Sequence, residues 1–187
     1  MTPNEVLEQL KQTCGDALTE AEVKGSEICA TTTAASARAV CQTLRALGFE
    51  YLNCLSGADW TTHLEVVYDL SSLTHPVKLH LRVTVDRAQP MLPTVSDLWR
   101  AADWHERECY DLFGVRFDGH PDHRRILLPE DWVGYPLRKD YADERLVPYT
   151  DYGFEEKAAK DAAKGGPKAA PAAKPAPPAP PAPNTEA

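Results

Sequence analysis

The stretch K-L-H-L-R-V-T-V-D (78–86) decides the fold class. Leu79, Leu81, Val83 and Val85 fall on one side of an extended chain, and Lys78, His80, Arg82, Thr84 and Asp86 on the other. Successive strand side chains point to opposite faces, so this alternation describes a sheet with one buried and one wet face. Such a sheet is antiparallel in preference to a parallel one sandwiched by helices. Working outward, His63–Leu70 repeats the pattern through Leu64, Val66, Tyr68 and Leu70. Phe49–Leu55 supplies another strand, closed by a turn at Gly57-Ala58-Asp59, and a further strand is expected near Glu22–Thr31.

Helical periodicity flanks the strands. Thr2, Pro3 and Glu5 form a capping-box start for a helix whose apolar face is Val6, Leu7 and Leu10, with Gly15 as its stop. A second helix is predicted over Thr33–Leu47, where Ala37, Val40, Cys41, Leu44 and Leu47 recur at helical spacing. A third is predicted over Val95–Phe113, capped by Ser96 and ended by Gly114. The expectation is an α+β fold: an antiparallel or mixed sheet with helices packed on one face, followed by an extended irregular segment and a disordered Ala/Pro-rich tail.

Three regions are expected: an α+β domain over 1–114, an irregular partner-contacting segment over 115–154, and a tail over 155–187. The irregular segment is broken by Gly119, Pro121, Pro129, Gly134, Pro136 and Pro148, yet carries Phe117, Ile126, Leu127, Leu128, Trp132, Tyr135 and Leu137. Long irregular stretches this apolar lie against something. The tail holds eight of the chain's 16 prolines and has too little to bury to offset its ordering entropy.

Composition removes several function classes. A net charge of −8 argues against a nucleic-acid binder, which needs cations to neutralise phosphates. The start, M-T-P-N-E-V-L-E-Q-L-K-Q (1–12), has neither a basic nor an apolar leader region, so no secretory signal is expected. No window approaches a membrane span, so membrane association is expected only through a partner. Five cysteines, at 14, 29, 41, 54 and 109, form no C-x-x-C pair and read as reduced thiols.

The densest chemistry lies in W-H-E-R-E-C-Y-D-L-F-G (104–114). Arg107 and Asp111 stand at i and i+4, Glu108 and Asp111 at i and i+3, while Glu106 and Glu108 project to different sides. Trp104, Tyr110, Leu112 and Phe113 surround these charges, which must therefore be paired or wet. Arg124, Arg125, Arg138 and Lys139, with Asp140, follow within reach of the helix acids.

Three linked motifs run through this region: E-R-E-C-Y-D-L-F-G-V-R-F (106–117), G-H-P-D-H-R-R-I-L-L-P-E-D-W (119–132) and G-Y-P-L-R-K-D-Y (134–141). In order and spacing they resemble the signature of the 30 kDa subunit family of respiratory complex I, the C-type subunits of the NADH:quinone oxidoreductases. The resemblance extends more loosely over Met1–Val85 and does not cover the tail. It implies a cofactor-free scaffold in the quinone module of the peripheral arm. FMN, iron–sulfur clusters and quinone would then be bound by other subunits of a complex that couples electron transfer from NADH to quinone with ion translocation. The implied partners are the large (D-type) quinone-site subunit and neighbouring iron–sulfur subunits, at the cytoplasmic face of the cell's inner membrane. By matching position, Glu106, Arg107, Glu108, Asp111, Phe113, Arg125, Trp132, Arg138, Lys139 and Asp140 would fix the motif region and its interface. After Tyr141, residues 142–154 depart from longer relatives.

Two other readings use the same residues. Related energy-converting hydrogenases and ferredoxin- or plastoquinone-linked complexes carry an equivalent subunit, so the electron donor is open. A small metal-dependent enzyme would use His105 and Cys109 at i and i+4 with His120, Asp122 and His123, but H-x-x-x-C lacks the general base of H-E-x-x-H. Carboxylate catalysis by Glu106 and Glu108 is disfavoured because the two diverge on the helix.

Overall fold

The computed structural model describes residues 2–142. The expected tail over 155–187 lies outside the described residues, as does most of 142–154. Met1–Lys139 forms one compact unit, and a second begins at Asp140.

The first unit is α+β. In chain order it comprises α1 (Pro3–Cys14), a 3-10 turn (Gly15–Ala17), β1 (Leu18–Lys24), β2 (Glu27–Thr33), α2 (Ala37–Ala46), β3 (Tyr51–Asp59), β4 (Leu64–Ser71), β5 (Lys78–Val85), β6 (Met91–Pro93), α3 (Ala102–Phe113) and β7 (Arg116–Asp118). Five strands make a mixed sheet in the order β1-β2-β5-β4-β3, and β6 with β7 forms a separate ribbon. The helices cover one face. Val6, Leu7 and Leu10 of α1 and Val40, Cys41 and Leu44 of α2 meet Ile28, Ala30, Leu55, Leu64, Val66, Tyr68, Leu70, Leu79, Leu81 and Val83 in one core.

The alternation in β4 and β5 reappears as strict burial of every second residue. Elsewhere the structure departs from the sequence expectation in instructive ways. The single strand expected near Glu22–Thr31 is a hairpin, β1–β2, with Lys24 opposite Glu27 across a two-residue loop. Gly25 at φ +66° supplies the conformation such a tight turn demands. The preference for antiparallel pairing holds for three of the four ladders of the five-stranded sheet, but β2 and β5 run parallel, as do β6 and β7 in the separate ribbon. One parallel pair inside a half-wet sheet leaves the alternation intact, so periodicity is blind to it.

Phe49–Leu55 with a turn at Gly57-Ala58-Asp59 becomes a longer strand: β3 runs through all three of those residues. A register shift between Leu52 and Cys54 moves Leu55 and Gly57 to the helix-covered side. Gly57 is needed there, because a Cβ would sit 2.6 Å from Cδ2 of Phe113 on α3. The helix expected from Val95 starts only at Ala102, and Ser96 does not cap it. Its N–H instead reaches the Thr94 hydroxyl at 3.2 Å, while the Val95 N–H is drawn to the Glu106 carboxylate at 2.7 Å. α2 likewise begins at Ala37, four residues after Thr33.

Candidate functional site

Residues 104–139 form a charged clasp in which α3 holds the following irregular chain. At its centre is Asp111, fully buried. Its Oδ2 accepts the N–H groups of Ile126, Leu127 and Leu128 at 3.1, 2.7 and 2.9 Å, and its Oδ1 accepts Arg125 Nη1 at 2.6 Å. Burial alone would raise the Asp111 carboxyl. The Leu128 N–H, the Arg125 guanidinium and the Leu127 and Ile126 N–H groups hold it below the ordinary value instead. Asp111 thus takes its cation from the loop and not from Arg107, one helical turn away.

Arg125 spends its remaining donors on backbone carbonyls. They reach Asp111 O at 3.1 Å, Trp132 O at 2.9 Å and Gly134 O at 3.2 Å. Its guanidinium carbon lies 5.6 Å from the centre of the Tyr135 ring. Arg107, also buried, donates to Arg124 O and Arg125 O, both at 3.2 Å, approaches Asp122 Oδ2 at 3.7 Å and lies over Trp104. The planar guanidinium fork suits this bundling of carbonyls better than an ammonium would.

The far end of the segment is pinned as firmly. Arg138 Nε donates to Phe113 O at 2.7 Å, Leu137 N–H to Leu112 O at 3.1 Å, and Lys139 N–H to Asp59 Oδ2 at 2.9 Å. Gly114 ends α3 with φ +76°, and a Cβ there would overlap the Tyr135 ring. Phe113 is buried against Gly57, and Trp132 is half-buried with its carbonyl on Arg125. Asp140 is exposed and opens the second unit.

Glu106 and Glu108 diverge. Glu106 is fully buried, accepting the Thr94 hydroxyl at 2.6 Å and the Val95 N–H at 2.7 Å. Burial pushes its carboxyl up to about 7 against these two donors. Glu108 is exposed, with one oxygen 3.9 Å from His105 Nδ1. Glu106 and Glu108 therefore do not share a site, and Asp111 is committed to the chain that follows α3. Of the residues weighed as metal ligands, Cys109 is buried in the core, while the rings of His120 and His123 have their centres 5.8 Å apart. No group of three or more His, Cys, Asp or Glu placed to hold a metal occurs among the described residues.

Sequence reasoning missed Asp59. Read as a turn residue, it ends β3 and accepts Arg87 Nη2 at 2.8 Å, Thr61 N–H at 2.7 Å and Lys139 N–H at 2.9 Å. The Arg87 pairing first, and then the amides, hold its carboxyl far below the carboxylate range despite burial. The local pattern reveals only the turn with Thr61, because Arg87 and Lys139 are remote in sequence. The clasp between Arg38 and Asp97, at 2.6 and 2.9 Å with a further bond to Thr94 O, was missed for the same reason.

The comparisons with known proteins fall on this architecture. The C-type subunit of the NADH-quinone oxidoreductase of Chloroherpeton thalassium is 50% identical over 110 residues, covering 55% of this chain and 46% of that protein. The protein of the same name from Acidothermus cellulolyticus is 50% identical over 99 residues, covering 51% of this chain and 52% of the other. The chain therefore spans about half the length of the curated relatives it matches. Among solved structures, a trypsin-resistant fragment of Nqo5 superposes with a TM-score of 0.57 at 32% identity, covering 65% of this chain and 99% of the fragment. A chain of the membrane-bound sulfane sulfur reductase, an archaeal respiratory membrane complex, shares the fold with a TM-score of 0.68 at 23% identity, covering 76% of this chain and 86% of its own. A family model described as the respiratory-chain NADH dehydrogenase 30 Kd subunit matches residues 30–145, more than half of the chain and the whole of the clasp. This chain belongs to that family.

Proposed function

We propose that this chain is a cofactor-free scaffold of an NADH:quinone oxidoreductase, acting as the 30 kDa-type subunit in the quinone module. It docks the large quinone-site subunit through the segment that the clasp holds, beside the iron–sulfur subunits and at the cytoplasmic face of the membrane. The complex as a whole carries electrons from NADH to quinone and couples this to ion translocation. Among the described residues no helix is long and apolar enough to cross a membrane, which is in keeping with attachment through partners.

One observation carries the reading. The segment after α3 has little regular structure, yet its backbone is tied to Asp111, Arg125, Arg107 and Arg138 while Leu127, Val133 and Leu137 are turned outward at 61%, 70% and 52% exposure. Trp104 adds a further exposed ring at 62%. A surface whose ordering is complete before binding loses less entropy on docking, and exposed apolar side chains on such a surface mark an interface.

The test is co-expression with the large subunit of the same complex. Burying Leu127 and Val133 contributes about 1.5–3 kcal/mol each, so Leu127→Asp with Val133→Asp should weaken co-purification by about a hundredfold or more. The thermal transition should stay unchanged. Undiminished co-purification of the double variant would defeat the docking surface. Stoichiometric iron or flavin on the purified chain, by elemental analysis and absorbance, would defeat the cofactor-free reading.

A further inference from the structure

We propose that His123, with His120 beside it, is an acid-released latch on residues 117–125, one that closes only while the imidazole is neutral. The inference goes beyond the docking reading: it concerns this chain alone and needs no partner.

Both rings accept a main-chain hydrogen. Phe117 N–H donates to His123 Nε2 at 3.1 Å, and Asp122 N–H donates to His120 Nδ1 at 3.0 Å. An accepting ring nitrogen carries no proton, so His123 is the Nδ1–H tautomer and His120 the Nε2–H tautomer. The doubly protonated ring has only donors. A second proton on either ring therefore sets two hydrogens face to face and breaks the bond.

The two rings differ in what compensates that loss. His120 Nε2 lies 3.1 Å from Asp103 O, 3.3 Å from Asp103 Oδ1 and 3.8 Å from Glu106 Oε2, all on α3, and the side chain is fully buried. His120 Nε2 thus faces acidic side chains of α3. His123 has only a bond to its own backbone in favour of the charged form, outweighed by burial and two cations. Its ring centre lies 4.2 Å from that of Tyr110 and 5.8 Å from that of His120. The cation Arg116, in β7, also acts on it. The nearest acid along the chain, Asp122, is engaged by Arg124 Nε at 2.9 and 3.0 Å and lies 3.7 Å from Arg107 Nη1.

Burial first, then His120 and Arg116, hold the His123 pKa below its ordinary 6.5. The unfolded chain therefore takes up this proton first as pH falls. The contribution to stability is complete above about 6.5, declines as pH drops from there to the folded-state value, and levels off below it. What opens is defined. Phe117 is buried at the centre of β7, which pairs with β6, and its N–H would lose its acceptor when the ring turns away.

Histidine-ring nitrogen NMR on the full chain from pH 8 to pH 5 tests this, together with exchange of the Phe117 amide corrected for its intrinsic pH dependence. At pH 7, His123 should show a bare Nε2 and titrate below 6.5, and opening at Phe117 should rise by pH 5, up to about thirtyfold. In His123→Gln, whose side-chain oxygen accepts at every pH, that rise should vanish. Three results would each overturn the latch: a protonated Nε2 on His123 at pH 7, Phe117 protection indifferent to acid, or an acid response in His123→Gln equal to that of the parent chain. The parent titration decides the matter even if the variant fails to fold.

Discussion

Replacing Asp111 with Asn keeps the shape of the side chain and removes its charge, which isolates what the carboxylate does. Asp111 satisfies three amides with one oxygen and Arg125 with the other. An Asn has one oxygen to offer. If it faces the amides, its NH2 confronts the guanidinium; if it faces Arg125, the NH2 confronts three N–H groups. Removing one partner of a buried, hydrogen-bonded ion pair costs about 3–5 kcal/mol. Arg125 retains three carbonyl acceptors after the change, so the lower end, about 3 kcal/mol, applies here. At about 1.4 kcal/mol per decade this is roughly a hundredfold rise in local opening. Amide hydrogen exchange of Ile126, Leu127 and Leu128 reads that rise directly, with the amides of β4 and β5 as internal controls. The wild-type carboxyl lies below its ordinary value, so its stabilisation is complete above that value and is lost as pH falls through the folded one. Opening in wild type should therefore increase in strong acid, while the variant should lack that carboxylate-linked rise. If protection at 126–128 in Asp111→Asn stays within threefold of wild type, the carboxylate does not organise this segment.

The remaining expectations concern single contacts. Gly57→Ala inserts a methyl 2.6 Å from the Phe113 ring and should destabilise the first unit by about 1–3 kcal/mol in urea melts; an unchanged midpoint would show that α3 can shift. Gly114→Ala combines a left-handed backbone with overlap on Tyr135, and should loosen residues 134–138 to limited proteolysis more than it lowers the melting temperature. Glu106, with its carboxyl raised to about 7, binds a proton more readily folded than unfolded. Stability should therefore fall as pH rises from about 4.5 to about 7 and then flatten, and Glu106→Gln should remove that slope in denaturant titrations. A slope that survives the substitution would assign it to another group.

How much of this was legible in the sequence follows the range of the interactions. Strands β4 and β5 and helix α1 are written in local alternation and capping, from Leu64 to Val85 and from Thr2 to Leu10, and those elements formed where the pattern placed them. The β1–β2 hairpin was also within reach, since Gly25-Ser26 interrupts Glu22–Thr31 as hairpin loops do. The parallel β2–β5 ladder was not, because pairing direction leaves no trace in a half-buried strand. The three-residue strands β6 and β7 are too short to establish a period. In the clasp, the residue types and their spacing pointed to charges that needed partners. Which partner each would take depended on the loop's path: Asp111 paired fourteen residues onward, and Asp59 met an amide eighty residues away.

That last contact gives the clasp an order of assembly. Lys139 can be tied to Asp59 only once β3 is in place, and Arg138 to Phe113 only once α3 has formed. The Asp59–Lys139 bond joins positions eighty residues apart, and closing that loop ahead of the sheet would cost entropy with nothing to offset it. The outward-facing leucines of 127–137 are therefore set into their final positions by a chain that is otherwise already folded. A half-folded chain lacks that surface, so anything that recognises it discriminates finished molecules from unfinished ones without a separate check.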